Sequence, residues 1–383
     1  MWELIDGRRN PHEAIGEFWA NTVGARAWVG PPIRVAAAGH PGRMALWVSR
    51  EHGGRPMGRT VLVTGAGGFI GSHLVERLVA DGHEVRALVR YNGRDDRGHL
   101  DRLDPAVKAA IEVHRGDLKD PEAVRKAVDG RSWVFHLGAL IAIPYSYQNP
   151  LDVVQTNVLG TAHVLDACRS SPALDRLVLT STSEVYGTAL RVPIDEDHPL
   201  QGQSPYAASK IGSDALGLSY HKAFGLPVAV LRPFNTFGPR QSARAIIPTI
   251  ISQALTRPVV KLGSLDPRRD LTYVKDTAAG FASIAACDAA IGRVVNIGRG
   301  SDLTIGELVD KIGALIGTPI KVEADAQRVR PAKSEVGRLL AGTALAAELW
   351  GWEPSYSLDR GLEETIGWVR ANPGLFRVDE YTT

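Results

Sequence analysis

Two side chains in this sequence have the types and spacing needed for proton and hydride chemistry. Tyr206 and Lys210 are four residues apart, and residues at this spacing share one face of a helix. A phenol has a reference pKa of about 10, and a neighbouring ammonium group favours its ionised form. Tyr206 could therefore act as a general base beside a bound nicotinamide ribose. The same spacing also occurs on ordinary solvated helix faces, so the pair needs support from other motifs.

A glycine-rich turn upstream of the pair provides that support. The turn covers residues 64–71, directly after an apolar strand pattern at 60–64, and a helical pattern follows it. Glycines placed this way permit a tight turn and close backbone approach to a pyrophosphate, which the helix N-terminus then stabilises. The alternative is a flexible loop, which the flanking strand and helix patterns disfavour. The residues predicted to contact a dinucleotide here are Gly65, Gly68, Phe69, Ile70 and Gly71.

The second predicted strand, at residues 84–89, bears on which dinucleotide is bound. Arg90 follows it directly, at the position where an acidic residue would accept a hydrogen bond from the ribose 2′-hydroxyl of NAD. An arginine can instead accommodate the 2′-phosphate of NADP, or it can simply cover the adenine face. Asp117 follows the third strand and either accepts a hydrogen bond from the adenine amino group or caps the next turn. The predicted cofactor is therefore NAD(P), with further contacts from Leu118 and Leu137.

These motifs need a scaffold, and the sequence pattern predicts one of the α/β class. Short apolar runs alternate with helical patterns from residue 60 onward, which is typical of a Rossmann-type, doubly wound parallel sheet. The alternation loosens after about residue 238, which indicates a smaller, mixed α/β C-terminal substrate lobe. We expect an N-terminal extension at 1–56, flexible apart from a short helix around 10–21. We expect a cofactor domain at 57–238 joined by 274–298, and a substrate lobe at 239–383.

The composition limits the classes of partner. The chain has 383 residues, 22% charged residues and a net charge of +2. Without a clustered basic stripe, we expect no nucleic-acid partner. Cys168 and Cys287 are the only cysteines, so we expect no disulfide framework, no metal site and a cytoplasmic location. We find no apolar run of about 18 residues and no N-terminal signal pattern, so we expect no membrane partner.

Taken together, the motifs resemble those of the extended short-chain dehydrogenase/reductases, specifically the NAD-dependent epimerase/dehydratase family of nucleotide-sugar enzymes. The likeness extends from residue 57 to about residue 370. Within the family, residues 141–147 and 199–206 most resemble the UDP-N-acetylglucosamine 4,6-dehydratases of legionaminic acid biosynthesis. The other matching motifs are Gly116-Asp117, His136–Ala139, Asn157–Thr161, Ser181–Gly187, Arg232–Arg240, Arg269–Asp276, Arg330-Pro331 and Gly351–Pro354.

The resemblance implies a nucleotide sugar bound in the cleft between the lobes, and a cofactor that stays tightly bound and is regenerated in each turnover. It implies that Thr182 hydrogen-bonds the C4 oxygen and that Glu184 removes the C5 proton. Ser183 stands where some relatives carry an acid for the leaving hydroxyl, which leaves the proton donor open. It also implies a homodimer formed through helices at 153–170 and 205–224. The implied substrate contacts are Asn235, Arg240, Arg269 and Arg330.

Other readings stay open at this point. UDP-glucuronate decarboxylases share the Thr-Ser-Glu order and use the glutamate together with an arginine at the Arg269 position. The 4-epimerases share the tyrosine and lysine, but tend to have a small residue in place of Glu184. A regulatory protein with idle catalytic residues would typically lose the tyrosine or lysine. The sequence favours a 4,6-dehydratase of UDP-N-acetylglucosamine or a related UDP-hexose, acting by C4 oxidation, C5/C6 water elimination and hydride return to C6.

Overall fold

The computed structural model describes residues 58–328 and 335–376. The extension predicted at 1–56, its short helix around 10–21, and Arg330 all lie outside these ranges. Within them, no helix combines the length and the apolar character needed to cross a membrane. The described residues belong to one compact unit, so the predicted boundary at residue 238 stays a prediction.

Strands and helices alternate along the chain, as the sequence pattern predicts. The strands are β1 (Thr60–Thr64), β2 (Glu84–Val89), β3 (Ile111–Arg115), β4 (Trp133–His136), β5 (Arg176–Thr180), β6 (Val228–Pro233), β7 (Thr236–Phe237), β8 (Val259–Leu262), β9 (Arg268–Asp270), β10 (Thr272–Tyr273), β11 (Val294–Ile297), β12 (Asp302–Thr304), β13 (Lys321–Ala324) and β14 (Arg338–Leu339). The helices are α1 (Phe69–Ala80), α2 (Pro105–Ala109), α3 (Pro121–Val128), α4 (Ile143–Gln148), α5 (Pro150–Val154), α6 (Gly160–Arg169), α7 (Pro205–Phe224), α8 (Ile246–Ala254), α9 (Val274–Ala286), α10 (Ile305–Ile316), α11 (Ala344–Trp350) and α12 (Leu358–Ala371).

A seven-stranded sheet forms the centre of the described structure and confirms the predicted fold class. Its strand order is β3-β2-β1-β4-β5-β6-β11, and its neighbouring strands pair in parallel. The order reverses between β1 and β4, which creates a crevice at the carboxyl ends of these strands. In open parallel sheets, ligands bind at such a switch point. The segment predicted at 274–298 contributes α9 and the edge strand β11.

The sheet is buried on both faces, and this explains its apolar sequence. Val61 and Val63 point into one layer, where they pack in a cluster with Phe281 of α9. Leu62 points to the opposite face and packs in a cluster with Leu165 of α6. Strands covered on both faces have near-continuous apolar runs rather than alternating ones. That is why the bounds of β1 agree with the sequence pattern, whereas β3, at the edge of the sheet, has no fully buried residue.

A smaller lobe with its own core is formed mainly by strands and helices that follow residue 238. An apolar cluster joins α8, α10 and α12 through Ile250, Leu308 and Leu362. Two small sheets border it: β8 pairs with β13, and β9 lies between β12 and β14. This lobe is the mixed α/β segment that the looser pattern after residue 238 indicates.

One predicted helix differs from the structure. The sequence pattern indicates a continuous helix at 153–170, whereas the structure has α5, a π-helical turn at Gln155–Leu159, and α6. The segment begins earlier because Pro150 fits the first turn of a helix, where its missing N–H costs nothing. Single π-helical turns are frequent at functional sites, and Thr156 in this turn lines the cavity described below.

Candidate active site

A cavity of about 710 Å³ opens at the carboxyl ends of the central strands. The glycine turn after β1, the segments after β2 to β5, residues 233–236, and Gln241, Ser242 and Ala245 line it. This is the switch point where a Rossmann-type sheet binds its ligand. The sequence-predicted residues that line it are Gly65, Gly68, Phe69, Ile70, Gly71, Arg90, Asp117, Leu118, Leu137, Thr182, Ser183, Glu184, Tyr206 and Asn235. Lys210, Arg240 and Arg269 are not among the lining residues.

The glycine turn is built so that backbone, rather than side chains, faces the cavity. Gly65 has φ of +67°, and a Cβ atom there would lie 2.8 Å from the Cα atom of Gly138. A Cβ atom at Gly71 would lie 2.2 Å from the carbonyl oxygen of Gly65. Helix α1 begins at Phe69 with no acidic residue in its first turn. The result is a close-packed turn with a helix N-terminus that favours an anion, as a dinucleotide pyrophosphate site requires.

Helix α7 carries the tyrosine and lysine pair. The helix begins at Pro205, and the Ser204 hydroxyl accepts a hydrogen bond of 3.1 Å from the Ala207 N–H. The cap fixes the first turn, from which Tyr206 reaches the cavity. Tyr206 is 8% exposed and Lys210, one turn later, is 5% exposed. The pair is thus anchored on a capped helix and shielded from bulk water.

The Tyr206 hydroxyl lies against the segment that follows β5. It forms a hydrogen bond with the side chain of Thr182, whose hydroxyl also accepts a 3.2 Å hydrogen bond from the Glu184 N–H. Glu184 lies near enough for its negative charge to raise the pKa of Tyr206. The structure therefore brings together the phenol, the threonine hydroxyl and the carboxylate that the sequence motifs single out.

Electrostatics in the site depend mainly on burial. Burial raises the pKa of Tyr206 well above its ordinary value, and the charge of Glu184 adds to this rise. Burial lowers the pKa of Lys210, whereas the carboxylate of Asp214 raises it. Tyr206 is therefore a neutral phenol at neutral pH. Its ionisation needs compensating positive charge, and Lys210 lies one helical turn away on the same helix.

A buried carboxylate that the sequence analysis missed braces the two halves of the site. The Asp214 Oδ2 atom accepts hydrogen bonds from the Ser181 hydroxyl at 2.7 Å and from the Arg232 guanidinium at 2.9 and 3.1 Å. Ser181 immediately precedes Thr182, while Asp214 lies on α7 one turn after Lys210. The brace therefore holds the segment after β5 against α7. The position of Asp214 four residues after the lysine places it on the same helix face, but this spacing alone does not distinguish a buried carboxylate from an exposed one.

The motifs at His136–Ala139 and Asn157–Thr161 contribute buried hydrogen bonds behind the cavity. The His136 ring lies between two hydroxyls, with Nδ1 2.8 Å from Thr64 Oγ1 and Nε2 3.0 Å from Thr161 Oγ1. Burial lowers the pKa of His136 to about 3, so the ring is neutral. Asn157 donates a 2.9 Å hydrogen bond to Ser209, which lies on α7 between the tyrosine and the lysine. These buried contacts hold β4, the π-helical turn and α7 in register.

Two of the predicted substrate contacts lie elsewhere. The guanidinium of Arg240 pairs with the Glu76 carboxylate and hydrogen-bonds the His73 ring, both on α1. The backbone of Arg240 has φ of +69°, and its buried side chain reaches α1 rather than the cavity. Arg269 is paired with Glu335 at 3.3 Å. Carboxylates outside the cavity lining engage both guanidinium groups in this structure, and the substrate contacts of Arg240 and Arg269 stay predictions.

Comparison with known proteins gives consistent matches over the described fold. The family model described as GDP-mannose 4,6 dehydratase matches residues 62–365. The UDP-glucose 4-epimerase of Mycolicibacterium smegmatis is 32% identical over 317 residues, covering 81% of this chain and 98% of that protein. The dTDP-glucose 4,6-dehydratase of an Actinoplanes species is 32% identical over 322 residues, covering 82% and 98%.

A solved structure gives the same picture. DesIV, a dTDP-glucose 4,6-dehydratase from Streptomyces venezuelae with NAD bound, superposes with a TM-score of 0.74 at 29% identity. The match covers 83% of this chain and 99% of that one. Epimerases and dehydratases thus resemble the chain to a similar degree, and the residues of the site must distinguish between the reactions.

Proposed function

Because the chain belongs to the GDP-mannose 4,6-dehydratase family of NAD-dependent nucleotide-sugar enzymes, we propose that it is a nucleotide-sugar 4,6-dehydratase. The proposed substrate is UDP-N-acetylglucosamine or a related UDP-hexose. One observation carries the proposal: Glu184 lines the same cavity as Thr182 and Tyr206, and its charge acts on the tyrosine. Elimination requires two bases in one site. One base, here Tyr206, must reach the C4 hydroxyl of the sugar, and the other, here Glu184, must reach its C5 proton.

The close-packed glycine turn and the adjoining strand ends fit a bound NAD(P). The dinucleotide, when bound, takes up the C4 hydride of the sugar and gives it back at C6. Asn235, which lines the cavity, is proposed to contact the sugar diphosphate. The residues proposed to hold the cofactor are Gly65, Gly68, Phe69, Ile70, Gly71, Arg90, Asp117, Leu118, Leu137, Tyr206 and Lys210.

The first half of the reaction rests on α7. Tyr206 removes the proton of the C4 hydroxyl, and Thr182 hydrogen-bonds the same oxygen. We propose that the Lys210 ammonium favours the phenolate form of Tyr206 and so counters the rise in the pKa of Tyr206 that burial causes. The Asp214 carboxylate helps Lys210 to keep its charge, because it raises the pKa of the lysine.

The second half rests on the segment after β5. A ketone at C4 acidifies the proton on C5, and the Glu184 carboxylate removes it. The C6 hydroxide then leaves as water. It takes the proton that Tyr206 removed from the C4 hydroxyl in the first half of the reaction. We propose that Ser183, which lines the cavity and is buried, hydrogen-bonds this leaving group. The proton on Glu184 returns to C5 when the hydride reaches C6, so the site is restored within one turnover.

The rival reactions have less support from the site. Decarboxylation would require an arginine to hold the uronate carboxylate, and the guanidinium of Arg269 is engaged by Glu335 away from the cavity lining. A simple 4-epimerase needs no carboxylate at the position of Glu184. Both reactions remain distinct outcomes of the test that follows.

The test is to incubate the enzyme with UDP-N-acetylglucosamine, UDP-glucose, UDP-glucuronate and GDP-mannose, and to analyse the products by mass spectrometry. We expect a product that is one water lighter, carries a 4-keto group, and comes from UDP-N-acetylglucosamine or another UDP-hexose. An isomer of unchanged mass would indicate epimerisation, and carbon dioxide release would indicate decarboxylation. Either result, or no dehydrated product from any hexose, contradicts the proposal.

We also propose a homodimer in the cytoplasm. Apolar side chains are exposed on the predicted interface helices, including Val154, Leu159 and Phe224. Cys168 and Cys287 are free thiols, which suits a reducing compartment. Light scattering of the purified protein should give the mass of two chains, and the mass of one chain would overturn the dimer.

A further inference from the structure

A short segment between β7 and α8 forms part of the cavity wall. It runs from Gly238, directly after β7, to Ala245, directly before α8. Three of its residues, Gln241, Ser242 and Ala245, line the cavity. Arg240, which precedes them, has φ of +69°. A left-handed backbone is uncommon for a residue other than glycine and persists only where surrounding contacts fix it. The contacts of Arg240 therefore decide the course of this wall.

The side chain of Arg240 connects this segment to α1. Its guanidinium is buried, pairs with the Glu76 carboxylate, and donates a 2.6 Å hydrogen bond from Nη2 to His73 Nδ1. Burial and the charge of Arg240 lower the pKa of His73 to about 3, so the ring is neutral, with one donor and one acceptor nitrogen. The acceptor faces Arg240, and the donor nitrogen Nε2 lies 3.0 Å from the Pro239 carbonyl oxygen. Both nitrogens of the ring thus hold the same segment.

A second set of contacts connects Arg240 to the glycine turn and to the smaller lobe. The His99 ring contacts the backbone of Arg240. The His99 N–H donates a 2.9 Å hydrogen bond to the carbonyl oxygen of Gly67, which lines the cavity. The Trp368 ring of α12 packs edge-to-face against His99, with 6.5 Å between the ring centroids. Residue 240 is therefore the point at which α1, the glycine turn and α12 meet the cavity wall.

Helix α1 itself begins in the cavity, so its contact with Arg240 lies between two parts of the site. Phe69, the first residue of α1, lines the cavity. Its ring lies edge-to-face against that of His73, with 5.9 Å between the ring centroids. His73 and Glu76 follow Phe69 by four and seven residues, a spacing that places all three on one face of the helix. This face of α1 therefore runs from the predicted dinucleotide site to Arg240.

We propose that Arg240 is a positioning residue for substrate binding: through His73 and Glu76 it holds residues 241–245 in the shape that receives the nucleotide sugar. Arg240 is not among the residues that line the cavity, so its effect passes through the segment that follows it. A buried guanidinium that loses its carboxylate is an uncompensated charge, and the segment would have to move to bring that charge to water or to another anion. The inference rests on the proposed function in that both place a nucleotide sugar in this cavity.

The experiment measures, by calorimetric titration, how tightly the purified enzyme with its bound dinucleotide binds UDP, dTDP and GDP. Glu76→Gln removes the charge that holds Arg240 and leaves Arg240 itself in place. It should weaken binding of the diphosphate that the unaltered enzyme binds most tightly by about tenfold, the loss typical of one charged hydrogen bond. The amount of dinucleotide bound per chain should not change. A direct contact between Arg240 and substrate, which the sequence motif predicts, would instead give unchanged or tighter binding, because Glu76→Gln frees the guanidinium.

Further variants complete the test. Arg240→Ala should weaken binding at least as much as Glu76→Gln, and Arg240→Lys should weaken it less, because lysine keeps the charge without the planar fork. The double variant Glu76→Gln/Arg240→Ala should bind like Arg240→Ala alone, because both changes break the same contact. Asp81→Asn is the matched control. It removes a carboxylate at the end of the same helix that pairs with Arg77, and it should leave binding unchanged.

Several results would overturn the inference. They are unchanged or tighter diphosphate binding in Glu76→Gln, additive losses in the double variant, and no binding of any of the three diphosphates. A parallel loss of dinucleotide would show that Glu76 supports α1 as a whole, which also overturns it. These measurements need no turnover, so they separate the two proposals. Weaker diphosphate binding in Glu76→Gln without dehydration by the unaltered enzyme would defeat only the proposed function, and dehydration with unchanged binding would defeat only this inference.

Discussion

Replacing Glu184 by glutamine should separate the two halves of the proposed reaction. The change keeps the size of the side chain and removes its charge. The backbone N–H of residue 184 can still donate to the Thr182 hydroxyl at 3.2 Å, so the local turn should be kept. Glutamine cannot accept the C5 proton. We therefore expect C4 oxidation to proceed and elimination to stop.

The expected magnitude follows from the role of the carboxylate. A positioned general base contributes about 10²- to 10⁴-fold to a rate, so dehydration should fall by that factor. At 1.36 kcal/mol per factor of ten, this corresponds to about 3–5 kcal/mol of barrier. Oxidation at C4 should not slow in the same way. The Glu184 charge raises the pKa of Tyr206, so its removal makes the phenol easier to ionise.

The assay follows both halves in one experiment. Stopped-flow absorbance reports reduction of the bound dinucleotide when the UDP-hexose is added, and mass spectrometry reports the dehydrated product. Glu184→Gln should accumulate reduced dinucleotide, because the hydride has no acceptor at C6. Glu323→Gln, an exposed carboxylate on β13 outside the cavity lining, is the control and should behave like the unaltered enzyme.

The refuting result is equally definite. Full dehydration by Glu184→Gln would show that another group removes the C5 proton. Loss of dinucleotide reduction together with dehydration would show that Glu184 serves C4 oxidation or substrate binding instead.

Three further substitutions test the cofactor turn, the core and the pH dependence of stability. Gly65→Ala places a Cβ atom 2.8 Å from the Gly138 Cα atom, so the amount of dinucleotide bound per purified chain should drop. An unchanged amount would contradict the assignment of the glycine turn as the pyrophosphate site. Phe281→Ala empties a fully buried site, and urea unfolding should show a loss of about 3–5 kcal/mol. Burial raises the pKa of Asp270 to about 6, so its protonation favours the folded state. That contribution is complete below pH of about 4 and is lost as pH rises through about 6, and urea midpoints should show this slope in the unaltered protein but not in Asp270→Asn.

The centre of the sheet could be predicted from the sequence because its strands are covered on both faces. β1 is a short apolar run between turn residues, and such runs have clear ends. The edge strand β3 mixes apolar and charged residues and has no fully buried residue. The segment at 143–159 was harder. It contains Pro144 and Pro150, and its helical stretches are too short for periodicity to locate, so α4, α5 and the π-helical turn were missed or merged.

The candidate site also contains residues that the sequence predicted and residues that it did not. Thr182, Glu184 and Tyr206 belong to compact motifs, and the parallel sheet brings the motifs to one edge. Asp214 was missed, since a carboxylate on a long helix has no sequence feature that distinguishes a buried brace from an exposed charge. Arg240 was expected at the substrate because of its motif. Its left-handed backbone and its pairing with Glu76 depend on the packing of α1, which the local sequence does not encode.

The most direct test of the central claim is the fate of the hydrogen on C4 of the sugar. A UDP-N-acetylglucosamine or UDP-glucose substrate labelled with deuterium at C4 should give a product one water lighter that carries the deuterium on C6. Nuclear magnetic resonance of the purified product locates the label. Deuterium retained at C4 of an epimerised sugar, or a product formed by loss of carbon dioxide, would contradict the account.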